Sequence, residues 1–428
     1  MRVLMTGAYG LIGSACLARL HRDGHDLTAT GRSIASAARR LPFARWRPAD
    51  FDRLADAASW RPLLAGIEAV VNCVGVLQDG GRDDPARVLR ATRALFDACA
   101  ALGVRRLVHV SALGADLEGP TAFARTRAQA EAHLQALDLD WLILRPALVM
   151  APAVYGGSAM LRALAAFPAV TPVIEGDARV QIVGIDDLAE TVARALRPDA
   201  PARVAWTLAH PRTWRLADIV VALRQWMGFA PRRVVALPRP AAAVVAALAD
   251  CLGWLGWRSP ARSTARAQLA AGVVGDPAAW MRATGIAPAS LAEILAARPA
   301  SVQDRWFAKL YLLKPIAVAA LAAALIALGN VLLATWRPGL IVPPGRPALL
   351  QWIAPAHGVF DLGAGLALLV RATARAALIA ALLVWCAVDP VVWLLAAGAD
   401  WLGAAYACMQ IAPLALAAVF LLAILDDR

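Results

Sequence analysis

The chain has 428 residues, room for two or three domains, with 60% hydrophobic residues and a mean hydropathy of +0.58. Soluble proteins use about 45–50% apolar residues; here charges recur at ordinary intervals over residues 1–300 and nearly vanish after Pro315. The net charge of +12 is almost wholly arginine, only Lys309 and Lys314 being lysines, and no zinc-finger, helix-turn-helix or RNA-binding signature accompanies it, so it points to a membrane surface and away from nucleic acid.

Residues 1–150 alternate short apolar runs with amphipathic stretches. Strands are expected at Arg2–Thr6, Asp26–Thr30, Ala69–Cys73, Arg106–Ser111 and Trp141–Arg145, and helices at Leu11–Asp23, 86–102 and Thr121–Leu137. Strands alternating with helices imply βαβ units, hence an α/β fold with a doubly wound parallel Rossmann sheet. Residues 151–304 are richer in Pro and Gly and read as a small α/β second lobe, the substrate lobe. Strand-like pieces lie at Val180–Val183 and Val204–Leu208, and helices at 186–196, 216–227 and 290–297. The apolar run Ala241–Trp257, interrupted by Asp250, fits either a buried helix of that lobe or a segment dipping into a membrane interface.

Residues 305–428 are expected to form an all-α transmembrane bundle. Stretches 315–336, 350–370, 376–397 and 404–425 each approach the roughly 20 residues that span a bilayer, although Asp389-Pro390 interrupts the third. Arg298, Arg305, Lys309 and Lys314 precede the first, placing that side in the cytoplasm. Strand-like sequence begins almost at Met1 without a signal peptide, so the expectation is a multi-pass protein of the cytoplasmic (inner) membrane with its N-terminal domain in the cytoplasm. The six cysteines form no CxxC pair and no Cys/His cluster has ligand spacing; no metal is expected. His357 and Asp361, four residues apart in the second stretch, share one helix face. Ionisable groups inside a bilayer are costly and mark function, although an interfacial His and an Asp paired locally would also explain them.

The segment Thr6-Gly7-Ala8-Tyr9-Gly10-Leu11-Ile12-Gly13 follows an expected strand and opens an expected helix. Gly7 permits the tight turn, Gly10 the close approach of a pyrophosphate, and Gly13 helix–strand packing, with the pyrophosphate on the helix N-terminus. Arg32, after the second strand, stands where an acidic residue would bind a ribose 2′-hydroxyl. It can instead meet a 2′-phosphate, pointing to NADP with NAD as the alternative, or be one more surface arginine. Asp50, after the third strand, reads equally as an adenine contact and as a loop cap.

The pattern Thr6-Gly7-x-x-Gly10-x-x-Gly13, with Val70-Val71-Asn72-Cys73-Val74-Gly75, Val108-His109-Val110-Ser111-Ala112-Leu113-Gly114 and Leu144-Arg145-Pro146, resembles the extended and atypical short-chain dehydrogenase/reductases. The atypical group similar to the nucleotide-binding accessory subunit of respiratory complex I is nearest in character. Residues 305–428 resemble the DoxX-like membrane family. The first resemblance implies cofactor contacts at Thr6, Gly7, Tyr9, Gly10, Leu11, Ile12, Gly13, Gly75 and Pro146, and a Ser-Tyr-Lys site in which the Tyr exchanges the substrate proton. Ser111 stands at the Ser position, but Phe123 replaces the Tyr and Arg127 the Lys. Phe123 has no titratable hydroxyl; Arg127 can still hold ribose hydroxyls. Tyr155, after Arg145-Pro146, could replace the phenol or be a turn residue; a quinone-like acceptor drawing its proton from water would need no phenol. The chain reads as a membrane-anchored NADP(H)-binding oxidoreductase with a lipophilic substrate and possible membrane-complex partners, or as a non-catalytic nucleotide sensor or assembly factor.

Overall fold

The computed structural model describes residues 1–75, 84–257, 259–270, 272–337, 352–391 and 401–425. The contacts divide the chain into two compact units, Met1–Asp250 with Ser259–Ala308, and Cys251–Arg258 with Lys309–Arg428.

The first unit is built on a parallel sheet. Its strands are β1 (Arg2–Thr6), β2 (Asp26–Gly31), β3 (Arg45–Pro48), β4 (Ala69–Asn72), β5 (Arg106–Val110) and β6 (Asp140–Pro146). Short strands β7 (Leu148–Met150), β8 (Thr171–Val173), β9 (Arg179–Val180) and β10 (Ile182–Gly184) follow, then β11 (Val204–Leu208), β12 (Trp214–Arg215) and β13 (Val234–Ala236). The sheet has seven strands in the order β11-β6-β5-β4-β1-β2-β3, while β7/β10, β8/β13 and β9/β12 form separate pairs. The order reverses between β1 and β4, which opens a crevice at the carboxyl ends of the strands, the place where such sheets bind ligands.

Helices α1 (Leu11–Arg22), α2 (Ala35–Arg40), α3 (Ala57–Leu64), α4 (Pro85–Leu102) and α5 (Ala122–Gln135) connect the first six strands. The expected elements recur with boundaries shifted by a residue or two; α2 and α3 are too short for their periodicity to register in the sequence. Asp56, Asp84 and Thr121 cap α3, α4 and α5 with side-chain oxygens, satisfying first-turn N–H groups. One face of the sheet packs Val3, Met5, Val71 and Val108 with α1 residues Cys16, Leu17 and Leu20. The other packs Leu4, Val70, Leu107 and Ile143 with Trp60, Leu95 and Phe96. In-line alternation sends neighbouring residues to opposite cores.

Beyond β6 come α6 (Gly157–Ala165), α7 (Ile185–Ala195), α8 (Leu216–Trp226), α9 (Arg239–Trp254), α10 (Ser263–Ala270), α11 (Ala278–Thr284) and α12 (Leu291–Ala296). Residues 204–208 supply the sheet's seventh strand, and α7 residues Leu188 and Val192, with the C-cap Leu196, share the core of α1. Helix α9 buries the small residues Ala242, Ala246 and Ala249 and exposes Val244, Leu248 and Trp254.

The second unit consists of helices. They are the greater part of α13 (Val302–Thr335), then α14 (Ile353–Leu369), α15 (Arg371–Leu383), which widens into a π turn over Val384–Val388, and α16 (Trp401–Ile424). Glycines bring α13 and α14 into backbone contact: a Cβ on Gly329 would lie 2.5 Å from the Gly358 carbonyl oxygen, and one on Gly365 2.9 Å from that of Ala322. Glycines at these positions let the two backbones approach closely and pack by van der Waals contact. Lys314 donates from Nζ to the Ile424 and Leu425 carbonyls at 2.6 and 2.9 Å, a cationic cap on the C-terminus of α16.

Among the described residues, Val302–Thr335 and Arg371–Val391 are long and apolar enough to cross a membrane, while Ile353–Leu369 and Ile411–Ile424 are shorter apolar helices. Four stretches of spanning length were expected and the described residues show two; α14 covers Ile353–Leu369 of the expected 350–370, and 338–351 lie outside the described residues. The third stretch starts earlier than expected, at Arg371, and its far end, 392–397, lies outside the described residues.

Candidate nucleotide site

The glycine loop joins β1 to α1 at the crevice. Gly7 has φ +68°, and a Cβ there would lie 2.8 Å from the Cys73 carbonyl carbon and 2.9 Å from the Val74 nitrogen, so only glycine fits. Gly10 N–H donates to the Gly7 carbonyl at 3.0 Å and closes the turn. A Cβ on Gly13 would come within 2.2 Å of the Gly7 carbonyl oxygen, so α1 lies directly on the loop. Gly10 is the N-cap of α1, with no side chain capping it and no acidic residue in the first turn. The first-turn backbone at Leu11 and Ile12 thus presents donors and a positive dipole end without a competing anion. These features make a cradle that a side chain would fill, and they fit a dinucleotide pyrophosphate.

A buried polar chain ties three strand ends together beside the loop. Thr6 Oγ1 donates to Asn72 Oδ1 at 2.6 Å, and Val74 N–H donates to the same oxygen at 3.1 Å. With its oxygen so occupied, Asn72 turns its amide to His109 Nδ1, 3.1 Å away. That bond assigns the ring proton to Nε2, which is buried with no partner. Burial, reinforced by the nearby Arg127 charge, pulls the His109 pKa down to about 3, so the ring is neutral.

Arg127 projects from α5 across the end of β5. Nη1 donates to the Val110 carbonyl at 3.2 Å, and its guanidinium carbon stands 5.4 Å from the centre of the Phe123 ring. A Cβ on Gly75 would fall 1.6 Å from Nη2, so the absence of a side chain at Gly75 is what admits the guanidinium. Loss of water lowers the Arg127 pKa to about 10, against the pull of Glu131; it stays charged at neutral pH. Arg145, from the Leu144-Arg145-Pro146 stretch, pairs with the buried Glu131, its Nε 3.0 Å from Oε2. Ser111, just past β5, is 5% exposed, and its Oγ is buried without a partner. Pro146 is buried, and its carbonyl accepts the Leu113 N–H at 3.0 Å.

At the other end of the crevice, the Tyr9 ring lies over Gly31, where a Cβ would be 2.0 Å from Cε1, and stacks toward Trp46 with ring centres 6.4 Å apart. Arg32 is exposed immediately after Gly31. Asp50 accepts from Asp52 N–H at 3.3 Å, the arrangement of a loop-capping aspartate. Tyr155 lies in the loop before α6, 45% exposed, its backbone N–H and carbonyl both bonded to the Ser158 hydroxyl at 3.2 and 3.1 Å. Sequence reasoning named Ser111 and Arg127 but gave no part to Asn72, His109 or Glu131. A polar residue ending an apolar strand, as Asn72 does in Ala69–Asn72, was the available signal; nothing local marks Glu131.

Residues 7–162 match the model of a family described as NAD(P)H-binding. An uncharacterized protein of Mycobacterium tuberculosis is 28% identical over 198 residues, 46% of this chain; the matched stretch spans about a fifth (20%) of that relative's length. Among solved structures, an NADPH-dependent quinone oxidoreductase of Escherichia coli aligns over 69% of this chain and 98% of its own, with TM-score 0.52 and 21% identity. The Bordetella bronchiseptica enzyme WbmH, solved with NAD+, aligns over 69% and 96%, with TM-score 0.52 and 19% identity. The N-terminal unit thus has a Rossmann-like fold, and residues 7–162 of it match the NAD(P)H-binding family.

Proposed function

We propose that the chain is a membrane-anchored, NADP(H)-binding oxidoreductase whose substrate is lipophilic, quinone-like or lipid-like. The observation that carries this reading is the unpartnered, buried Ser111 Oγ at the crevice that also holds the glycine cradle. Thr6, Gly7, Tyr9, Gly10, Leu11, Ile12 and Gly13 would hold the pyrophosphate and its neighbouring ribose, and Gly75, Arg127 and Pro146 the nicotinamide end. Arg32 would meet the 2′-phosphate and Asp50 the adenine. A nicotinamide cofactor supplies a hydride when bound. Ser111 would donate a hydrogen bond to the acceptor oxygen, and Arg127 would hold ribose hydroxyls while keeping its charge. Phe123 supplies no proton, so an acceptor that takes its proton from water suits the site. Tyr155 is the remaining phenol for a proton-donating role. The quinone oxidoreductase fold relative is in keeping with this choice.

The C-terminal helices are proposed as a DoxX-like bundle of about four spans in the cytoplasmic membrane. A tether of that kind confines the nucleotide domain near lipid-phase acceptors and raises their effective concentration. A second reading, a nucleotide sensor or assembly factor for a membrane complex, is favoured by Phe123 and Arg127 standing in place of Tyr and Lys. Membranes bearing wild type, Ser111→Ala, Tyr155→Phe or the double variant Phe123→Tyr/Arg127→Lys separate the two when assayed for NADPH oxidation with quinones, aldehydes and ketones. The enzyme reading expects quinone turnover by wild type and a loss in Ser111→Ala. Tight NADPH binding without turnover of any acceptor favours the sensor. Robust ketone turnover undiminished in Ser111→Ala and Tyr155→Phe contradicts both.

A further inference from the structure

The second unit contains a group of ionisable side chains that the nucleotide chemistry does not use. His357 on α14 lies between two carboxylates, with Nδ1 3.0 Å from Asp361 Oδ2 and Nε2 3.0 Å from Asp389 Oδ2. Asp361 is one turn along the same helix, while Asp389 comes from beyond the π turn Val384–Val388. A π turn inside an α-helix is an unusual and commonly functional distortion. Asp361 is 0% exposed and Asp389 4%, and Asp361 Oδ1 is buried with no partner of any kind.

Charge counting shows that the group is incomplete as an ion pair. Contact at both ring nitrogens is best served by an imidazolium, which donates to both carboxylates. Two carboxylates and one imidazolium leave a net charge of −1 among apolar helices, and an uncompensated buried charge costs several kcal/mol. Among the described residues, His357 is the ion-pair partner of both Asp361 and Asp389. Residues 315–335 of α13 and 401–424 of α16 carry no charge, and Asn330 of α13 spends its amide on the Ile326 carbonyl. Helix α14 has only His357 and Asp361. Arg371 and Arg375 stand at the start of α15, with Arg375 about 21 Å of helix away from Asp389; Arg371 donates to the Leu425 carbonyl. A metal cation would need several oxygen ligands, whereas among the described residues no cluster can hold a metal.

We propose that His357, Asp361 and Asp389 form a buried proton relay that holds one exchangeable proton, with Asp361 Oδ1 its terminal site. With that proton on Asp361 the group is neutral, and the orphaned oxygen gains the hydrogen that accounts for it. Transfer conserves protons at every step. When the ring carries only its Nδ1 proton, a proton on Asp389 passes to His357 Nε2 and forms the imidazolium, and the Nδ1 proton then moves to ionised Asp361, leaving a neutral ring protonated at Nε2. Asp389 recovers its charge and the ring its proton count. The inference rests on burial among apolar helices, and so stands apart from the nucleotide chemistry.

Infrared spectroscopy of the full-length protein in lipid nanodiscs tests it, using uniform carboxyl-13C-aspartate labelling. The expected result is a protonated aspartic carbonyl band at neutral pH that shifts on labelling and in D2O. It should disappear in Asp361→Asn and exchange with D2O more slowly in His357→Gln and Asp389→Asn. A labelled wild type without any protonated aspartic band at neutral pH overturns the inference whether or not the variants fold. Persistence of the band in Asp361→Asn, or its displacement by sodium or potassium, overturns it as well.

Discussion

In the Rossmann unit, buried polar side chains gather at strand ends and bond across the sheet, Thr6 to Asn72 to His109, or to an adjoining helix, Arg145 to Glu131 of α5. In the helical unit the described helices bring polar groups inside at one place, and the rest of the packing is apolar side chains and glycine-to-backbone contact. The difference follows from where each architecture leaves unsatisfied groups. A parallel sheet with a reversal in strand order ends in a crevice where several strands bring donors and acceptors together, so polar residues there find partners on neighbouring strands, as Asn72 does. Helices satisfy their own backbones, so a polar side chain among them must bring its partner with it. The buried polar atoms left without a partner include Ser111 Oγ and His109 Nε2 beside the glycine loop in the first unit and Asp361 Oδ1 in the second, and these three are the ones on which chemistry is proposed or tested.

The largest effect should come from Gly7→Val. The β-branched residue meets both a positive φ and a backbone wall at 2.8 Å, and a strained backbone of this kind costs about 1–3 kcal/mol. NADPH affinity measured by calorimetry should fall by about 100-fold, with the helical unit unchanged by circular dichroism. Retained affinity would mean that the loop is not the pyrophosphate cradle.

His109 gives a pH test of the strand-end network. Its pKa is pulled down to about 3 in the folded protein, against about 6.5 in the unfolded chain. Between these values the unfolded state binds a proton that the folded state does not. Its contribution is therefore complete above a pH of about 6.5 and falls as pH drops toward 3, by about 1.4 kcal/mol per pH unit. Urea unfolding followed against pH should show a slope shallower by up to one proton in His109→Gln. Equal slopes would mean that the ring is not held neutral.

Gly329→Leu probes the other style of packing. A side chain there meets the Gly358 carbonyl and the Leu362 nitrogen at 2.5 and 2.7 Å, and overpacking typically costs about 1–3 kcal/mol. The melting temperature of the helical unit should fall while NADPH affinity holds. A loss of nucleotide affinity would show that the units are coupled. The smallest expected effect is that of Arg32→Ala, a loss of NADPH over NADH preference of about tenfold, the lower end for a hydrogen bond to a charged group. An unchanged ratio in competitive binding would remove Arg32 from the phosphate site.

The sequence by itself determined the strand–turn–helix glycine loop, the alternation that makes the sheet parallel, and the apolar character of the C-terminal helices. Each is written in neighbouring residues, through the stereochemistry of glycine or a period of two or 3.6. It also showed the loss of the phenol at Phe123 and the likeness in place of His357 and Asp361, one helical turn apart. Only the tertiary structure decided that Gly75 makes room for the Arg127 guanidinium, that Asn72 orients His109 across two strands, and that Glu131 is the partner of Arg145. It also decided that Asp389, 32 residues along the chain, completes the pair on α14. These contacts join residues far apart in sequence, and no local period or propensity records which strand end or helix turn will lie 3 Å from which.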